Sequence, residues 1–436
     1  MGKISSNVME CNSKDNKRRV EEFYKIFLLN PNITTDTRNI NKGDIFFALK
    51  GDSFNGNTFA KKALDSGASF AVIDEKEYLL DERCFLVDDA LSFLQDVALY
   101  HRRQFPQLKL IAITGTNGKT TTKELLYCVL STKYNTLATK GNFNNHIGVP
   151  LTLLRINSKT EIAIIEMGAN HIGEINFLCH IAEPNYGLIT NIGRAHLEGF
   201  GSFENIVKTK TELFVYLDKE DKYPIINMDD SSLKNYSNKH KNKFYQYSLS
   251  SSYPKQEGAQ ISFEGEIIKS KLVGEYNQIN ILASIIVGNI FNVPLSLSKK
   301  AIESYTPTIH RSEKRETKTN TLIVDCYNAN PSSMDVALND FAKNKSKNRY
   351  VLLGAMKELG KESREEHKKI VEKVKNMQLK GAFFVGEEYK GLIDEEYLFP
   401  NSLLLKEYLK ENPIINSTIL IKGSNSTKMD ILLDVL

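Results

Sequence analysis

One stretch constrains this chain more than any other: Ile113-Thr114-Gly115-Thr116-Asn117-Gly118-Lys119-Thr120-Thr121-Thr122. The apolar run Leu108 to Ile113 precedes it and reads as a buried parallel strand, and the helical pattern Lys123 to Leu130 follows it. A strand, a glycine loop and a Gly-Lys-Thr opening a helix is the layout that holds nucleotide phosphates. The glycines let backbone N–H groups approach phosphate oxygens, and the helix N-terminus favours the anion. Gly115, Thr116, Asn117 and Gly118 would then wrap the phosphates of a nucleotide, with Lys119 on the terminal phosphates and the Thr120 hydroxyl on a metal ion. The loop departs from the general phosphate-loop pattern, because Ile113 stands where a glycine is usual and Gly115 falls only three residues before Gly118. A tight turn that happens to carry a lysine is the alternative; the flanking strand and helix favour the nucleotide loop.

The length of 436 residues predicts two or three domains. With 57 Lys and Arg against 53 Asp and Glu, the net charge of +4 is too small to argue for nucleic acid. No apolar segment is long enough to insert into a membrane, and the first residues lack the apolar core of a signal peptide. Cys11, Cys84, Cys128, Cys179 and Cys326 show no paired spacing and read as reduced thiols, so the chain is expected to be cytoplasmic. It is also expected to be a monomer. Residues 1–19, with the basic cluster Lys14 to Arg19, read as a poorly ordered, solvated lead-in.

Beyond it, the pattern divides into an α/β chain of three domains: a small α/β unit at 20–86, a central mainly parallel sheet of the phosphate-loop type at 87–309, and a Rossmann-like unit at 310–436 without a dinucleotide glycine motif. In the first, Arg38 and Lys50 border glycine-bearing loops, where donors can reach a diphosphate. In the second, the loop Gly141 to Pro150 carries Asn142, Asn144 and Asn145 and reads either as a turn or as a lining for ligand hydroxyls and amides. Glu166 ends an apolar strand, where a buried carboxylate needs a partner such as a metal ion. His196 follows the end of the next strand and is a second candidate metal ligand. Lys208 and Lys210 read as a solvated helix face. Residues 243–273 alternate in short runs and predict an antiparallel edge to the central sheet.

Taken together these motifs resemble the Mur ligase family, over nearly the whole chain after about residue 20. The features are Ala48-Leu49-Lys50-Gly51, Gly141 to Leu154, Glu166-Met167-Gly168-Ala169-Asn170, His196 to Gly201, Tyr327 to Pro331 and Lys422-Gly423-Ser424. The branch most similar joins D-alanyl-D-alanine to UDP-N-acetylmuramoyl-tripeptide. The resemblance implies an ATP-dependent, ADP-forming ligase of cell-wall precursor synthesis that works through an acyl phosphate. It further implies two Mg²⁺ ions, held by Thr120, Glu166 and His196 and supported by a carbamylated lysine, here Lys210. By the same resemblance Asn277, Arg311, Asp325 and Asn328 contact ATP. Asp36, Thr37, Arg38 and Lys50 form the nucleotide-sugar site, and Asn142 and Asn145 line the substrate. Asn57, Tyr276 and Ala355 depart from residues common in the family. A sister amide ligase of the folylpolyglutamate type, or an ATP-binding switch that ligates nothing, are the alternatives.

Overall fold

In the computed structural model, the described residues are 4–239, 243–249, 258–307 and 311–436, with side chains described from residue 15 onward. The chain divides into two compact units. The first takes residues 1–112, 135–167 and 176–185, and the second takes 113–134, 168–175 and 186–436.

The first unit opens with helix α1 (Ile4–Leu29). The lead-in expected to be poorly ordered is thus drawn into a helix from Ile4 on. Val20, Phe23, Tyr24 and Phe27 fall on one stripe of it and are buried. Phe23 meets the rings of Phe47, Phe85 and Phe93, and burying a side chain of this size contributes about 1.5–3 kcal/mol. Four short strands follow: β1 (Ile33–Thr34), β2 (Ile45–Phe47), β3 (Phe70–Ile73) and β4 (Cys84–Leu86). They pair in that order, all parallel, as apolar runs buried on both faces do. Helix α2 (Ala90–Arg103) then leads to β5 (Lys109–Thr114), which starts in this unit and ends in the second. The first unit also contains β6 (Thr136–Ala138) and β7 (Ile162–Glu166), a parallel pair.

The second unit receives the end of β5, the phosphate loop and helix α3 (Lys119–Leu130). Strands β8 (Tyr186–Ile189), β9 (Tyr223–Asn227) and β10 (Tyr245–Tyr247) pair parallel, with α4 (Phe203–Lys219) between β8 and β9. The antiparallel edge predicted over 243–273 is corrected here: β10 joins parallel. The antiparallel pairing is confined to a separate hairpin of β11 (Gln260–Phe263) and β12 (Glu266–Lys269). Its tight turn at Glu264-Gly265, with both residues at positive φ, closes that hairpin on itself. Helix α5 (Gln278–Ile290) follows.

The C-terminal part of the unit is a six-stranded sheet. Its strands are β13 (Glu313–Glu316), β14 (Asn320–Asp325), β15 (Arg349–Gly354), β16 (Gly381–Val385), β17 (Leu398–Phe399) and β18 (Ser417–Lys422). Their order is β13-β14-β18-β15-β16-β17, parallel except for the edge strand β13. Alternate residues feed two cores. Val351, Leu353 and Leu420 meet α6 (Pro331–Ala342) and α7 (Ser363–Lys375). Leu322, Leu352, Ile419 and Ile421 meet α8 (Ser402–Glu411) and the C-terminal turn. Among the described residues, no helix is long and apolar enough to cross a membrane.

Candidate active site

The phosphate loop is shaped by two glycines and pinned by the next strand end. Gly115 has φ +140°, and a Cβ there would lie 2.1 Å from Thr190 Oγ1; Gly118 has φ +79°, and a Cβ there would lie 2.8 Å from Asn280 Oδ1. Thr116 N donates to Asn191 O (2.9 Å) and Asn117 N to Asn191 Oδ1 (3.1 Å). Thr190 Oγ1 and Asn191 Nδ2 donate in return to Asn117 O (2.6 and 3.0 Å). Thr190 and Asn191 follow β8 directly, without a charge to mark them, so sequence reading did not single them out. Lys119 Nζ is held over the loop by the carbonyl oxygens of Gly115 (2.6 Å) and Thr116 (3.0 Å). Thr120 is buried on the first turn of α3. Asn277 is buried beside this helix start: its Oδ1 accepts from Asn280 Nδ2, and Asn280 Oδ1 accepts from Thr122 (2.9 and 3.2 Å).

Lys210 overturns the reading of a solvated helix face. Lys208 is exposed, but Lys210 is 3% exposed. Its Nζ donates to Ala169 O (3.4 Å) and lies 5.5 Å from the centroid of the Phe200 ring. Burial, and then the charge of Lys119, push its pKa down to about 7, against the opposing pull of Glu174 and Glu212. An amine so placed is about half neutral near pH 7 and available as a nucleophile.

His196 sits in the left-handed region (φ +50°) at the start of the short helix Leu197–Phe200. Its Nδ1 pairs with the Glu358 carboxylate. Burial and the charges of Lys119 and Lys210 lower its pKa, while Glu358 raises it. Glu358 was not singled out in the sequence, because its site lies 162 residues away in a loop without a motif of its own.

The C-terminal sheet brings three predicted ATP residues to one edge. The Arg311 guanidinium stacks 3.6 Å from the Tyr327 ring centroid, and its buried Nε has no partner among the described residues. Asp325 accepts from Lys422 Nζ (2.6 Å), and the same ammonium reaches Asn328 O (3.3 Å). Asn330 Nδ2 donates to Asn117 Oδ1 (2.9 Å), so this edge touches the phosphate loop directly. Tyr276, one of the departures, bonds through its hydroxyl to Ser312 Oγ (2.8 Å).

In the first unit, Glu166 is 2% exposed at the end of β7 and accepts from Asn144 Nδ2 (2.9 Å). The asparagine on the carboxylate is thus Asn144. Asn142 is exposed. Asn145 Oδ1 is committed to the backbone of Ile147 and Gly148 (3.1 and 2.9 Å), where it starts the helix Gly148–Leu153. The predicted nucleotide-sugar residues fall into two ion-paired groups. Asp36 and Arg38 clasp each other around the turn Thr37–Asn39, which holds the Asp36 carboxyl at about 2. Lys50 reaches Asp74 Oδ1 (3.0 Å) and Glu75 Oε1 (3.3 Å). Asp74 is fixed in turn by Asn57 Nδ2 (2.7 Å), so this departure serves the packing behind Lys50.

Comparison with known proteins matches this frame. The model for the Mur ligase family catalytic domain covers residues 31–94, that for the Mur ligase middle domain 113–288, and that for the Mur ligase glutamate ligase domain 310–398. The UDP-N-acetylmuramoyl-tripeptide–D-alanyl-D-alanine ligase of Bacillus subtilis (strain 168) is 32% identical over 442 aligned residues, covering 95% of this chain and 96% of that enzyme. The chain belongs to the Mur ligase family. Solved structures agree with the three-domain Mur ligase architecture. A MurF from Acinetobacter baumannii superposes with TM-score 0.81 at 28% identity over 92% of each chain. A MurF ligase from Thermotoga maritima in complex with ADP gives TM-score 0.81 at 27% identity, over 94% of this Mur ligase and 97% of that chain.

The donor set can be tested against a metal ion. Among the described residues no three His, Cys, Asp or Glu side chains cluster as a cage. Around Lys119 the second unit offers a hydroxyl, an imidazole and an amine, a set biased towards positive charge. Such a set fits Mg²⁺, a hard cation, only when anionic oxygens join it.

Proposed function

We infer that this Mur ligase joins D-alanyl-D-alanine to UDP-N-acetylmuramoyl-tripeptide, converting ATP to ADP and phosphate, in the synthesis of the peptidoglycan precursor. The observation that carries it is likeness to an enzyme of that activity, 32% identical over 95% of this chain. A carboxylate oxygen of the tripeptide attacks the γ-phosphorus, and the bond to the ADP oxygen breaks. The amine of D-alanyl-D-alanine then attacks the acyl phosphate carbonyl, loses a proton and expels phosphate. The protein's part is positioning and charge neutralisation. Backbone N–H groups of Gly115 to Thr120 and the Lys119 ammonium hold the phosphates. Arg311 adds its guanidinium, and Asp325, Asn328 and Asn277 frame the nucleotide.

Mg²⁺ supplies further charge neutralisation on the phosphate oxygens when bound. Thr120, Glu166 and His196 would hold it. Lys210, with its pKa held near 7, would take up CO₂: the amine lone pair bonds to carbon, a proton leaves, and the resulting carbamate gives the electropositive site its missing anion. Asp36, Thr37, Arg38 and Lys50 would take the UDP end, and Asn142 and Asn145 the sugar-peptide. The enzyme would act as a cytoplasmic monomer, for which the free thiols of Cys84, Cys128, Cys179 and Cys326 are suited.

The test is phosphate release by the purified chain with ATP, D-alanyl-D-alanine and the tripeptide substrate in its lysine and diaminopimelate forms, with the amide product weighed by mass spectrometry. Release that needs both substrates is expected with at least one tripeptide. ATP turnover indifferent to both, or supported by a folate and glutamate instead, overturns the reading.

A further inference from the structure

The residue after Arg311 is held by three separate groups. Ser312 is buried and takes φ +49°, a backbone region few non-glycine residues enter. Its N donates to Asp325 Oδ1 (3.4 Å) at the end of β14, and its O accepts from Val273 N (3.0 Å). Its Oγ meets the Tyr276 hydroxyl (2.8 Å). Val273 and Tyr276 belong to the turn that leads into α5, so that turn fixes the entry to β13 and the C-terminal sheet. The turn is itself braced. Gly274 (φ +97°) lies against the Tyr276 ring, where a Cβ would come within 2.2 Å of Cε1. Asn277 Nδ2 donates to Val273 O (2.7 Å), and Glu275 N donates to Asp340 Oδ1 on α6 (3.0 Å). Burial, and then the charge of Asp325, push the Tyr276 phenol up, so its hydroxyl keeps its hydrogen. A backbone held in so uncommon a conformation persists only where its surroundings over-determine it.

We propose that Tyr276 is a positioning residue for nucleotide binding: through Ser312 its hydroxyl fixes the backbone from which Arg311 reaches the Tyr327 ring. The proposal rests on the reading of Arg311 as a contact of ATP for its effect on binding, but not for the placement of the side chain. Arg311 has few fixtures of its own. Its guanidinium lies on the Tyr327 ring, and its buried Nε has no partner among the described residues. Where that side chain sits therefore follows from where Ser312 holds the chain. The same serine N–H meets Asp325, a second residue assigned to the nucleotide, whose other oxygen is taken by Lys422 (2.6 Å). One hydroxyl at a position where this chain departs from its family thus stands behind both.

Two readouts test this. Tyr276→Phe removes the hydroxyl and leaves the ring on Gly274. Calorimetry with ADP should then show an affinity about fivefold weaker, in line with the loss of one hydrogen bond. Ser312→Ala should give a similar loss, and the double variant no more than either alone, as expected of partners in one contact. In an Arg311→Lys background Tyr276→Phe should add nothing further, whereas a general loosening of the fold would add its full effect there too. Without nucleotide, the ¹⁵N–¹H signal of Arg311 Nε, assigned by its loss in Arg311→Lys, should carry the shift of an arginine lying on an aromatic ring. In Tyr276→Phe it should move towards that of a free arginine. An ADP affinity within twofold of wild type in Tyr276→Phe, an equal loss in the Arg311→Lys background, or an unmoved Arg311 signal overturns the proposal. A wild-type chain that binds no ADP sinks the nucleotide reading alone, since the Arg311 signal is measured without ligand.

Discussion

Lys210 shows what a single residue contributes here. An ammonium taken from water and set near Lys119 costs stability, so its retention on the apolar face of α4 needs a chemical reason. Lys210→Ala should therefore nearly abolish ligation while the protein stays folded, and added bicarbonate should not restore it. Lys208→Ala, on the exposed face of the same helix, should stay within twofold of wild type. Steady-state kinetics on the pair checks this, and an active Lys210→Ala would remove the lysine from the chemistry. Gly115 makes the opposite case, a residue that works by lacking atoms. Gly115→Ala forces a Cβ to within 2.1 Å of Thr190 Oγ1 at φ +140°. The loop must then shift, and ADP affinity by calorimetry should fall at least about tenfold, which is ~1.4 kcal/mol. Gly115 was within reach of the sequence. Lys210 was read as solvated together with Lys208, although it falls on the helical stripe of Ile206, Leu213, Phe214 and Leu217 that the fold buries. The bond from Asn144 to Glu166 was not within reach, because three asparagines in one loop differ only in where the turn aims them.

At the scale of elements, α1 and α2 are joined by a polar contact inside an aromatic core. Ile156 O can only accept, so His101 Nε2 carries the hydrogen (2.9 Å). Nδ1 must then accept from the Tyr24 hydroxyl (2.8 Å). Burial lowers the pKa of His101 below the usual 6.5 or so. The unfolded chain thus binds more protons than the folded one just below that value. The stability contribution is complete above about pH 6.5 and is lost as pH falls towards the folded value. Protonation also converts Nδ1 to a donor and breaks its acceptance from Tyr24. Proteolysis of α1 should accordingly speed up between pH 7 and pH 5, and Tyr24→Phe should be cleaved faster than wild type already at pH 7. A cleavage rate flat across that range in wild type would refute the coupling. The buried stripe Val20, Phe23, Tyr24 and Phe27 was legible as an amphipathic helix, whereas its extension back to Ile4 was not: polar residues there give no period to read. The parallel strands of the C-terminal sheet were legible as apolar runs spaced by helices. The antiparallel edge strand β13, Glu-Lys-Arg-Glu, was not, because an exposed edge needs no apolar residues.

For the second unit as a whole, the question is how the C-terminal sheet senses the nucleotide. Asn330 is placed to do this with the two ends of one amide. Its Oδ1 caps α6 by accepting from Ser333 N (2.8 Å), and its Nδ2 donates to Asn117 Oδ1 in the phosphate loop (2.9 Å). Arg194 N and Ser332 Oγ make a second bridge beside it (2.8 Å). The order of the three segments could be read from the chain, but not this contact, which joins residues 213 apart through a motif that reads equally well as a turn. Asn330→Asp separates the two roles. An aspartate caps a helix as well as an asparagine does, so the melting temperature should hold. The donor to Asn117 is lost, and a negative charge is set beside the loop that binds the phosphates, so the KM for ATP should rise about tenfold, ~1.4 kcal/mol. Asn330→Ala should lose the same contact and also destabilise the fold by about 1 kcal/mol through the missing cap. If Asn330→Asp instead melts early with its KM for ATP unchanged, Asn330 is a cap and nothing more, and the C-terminal sheet would meet the nucleotide through Arg311, Asp325 and Asn328 without it.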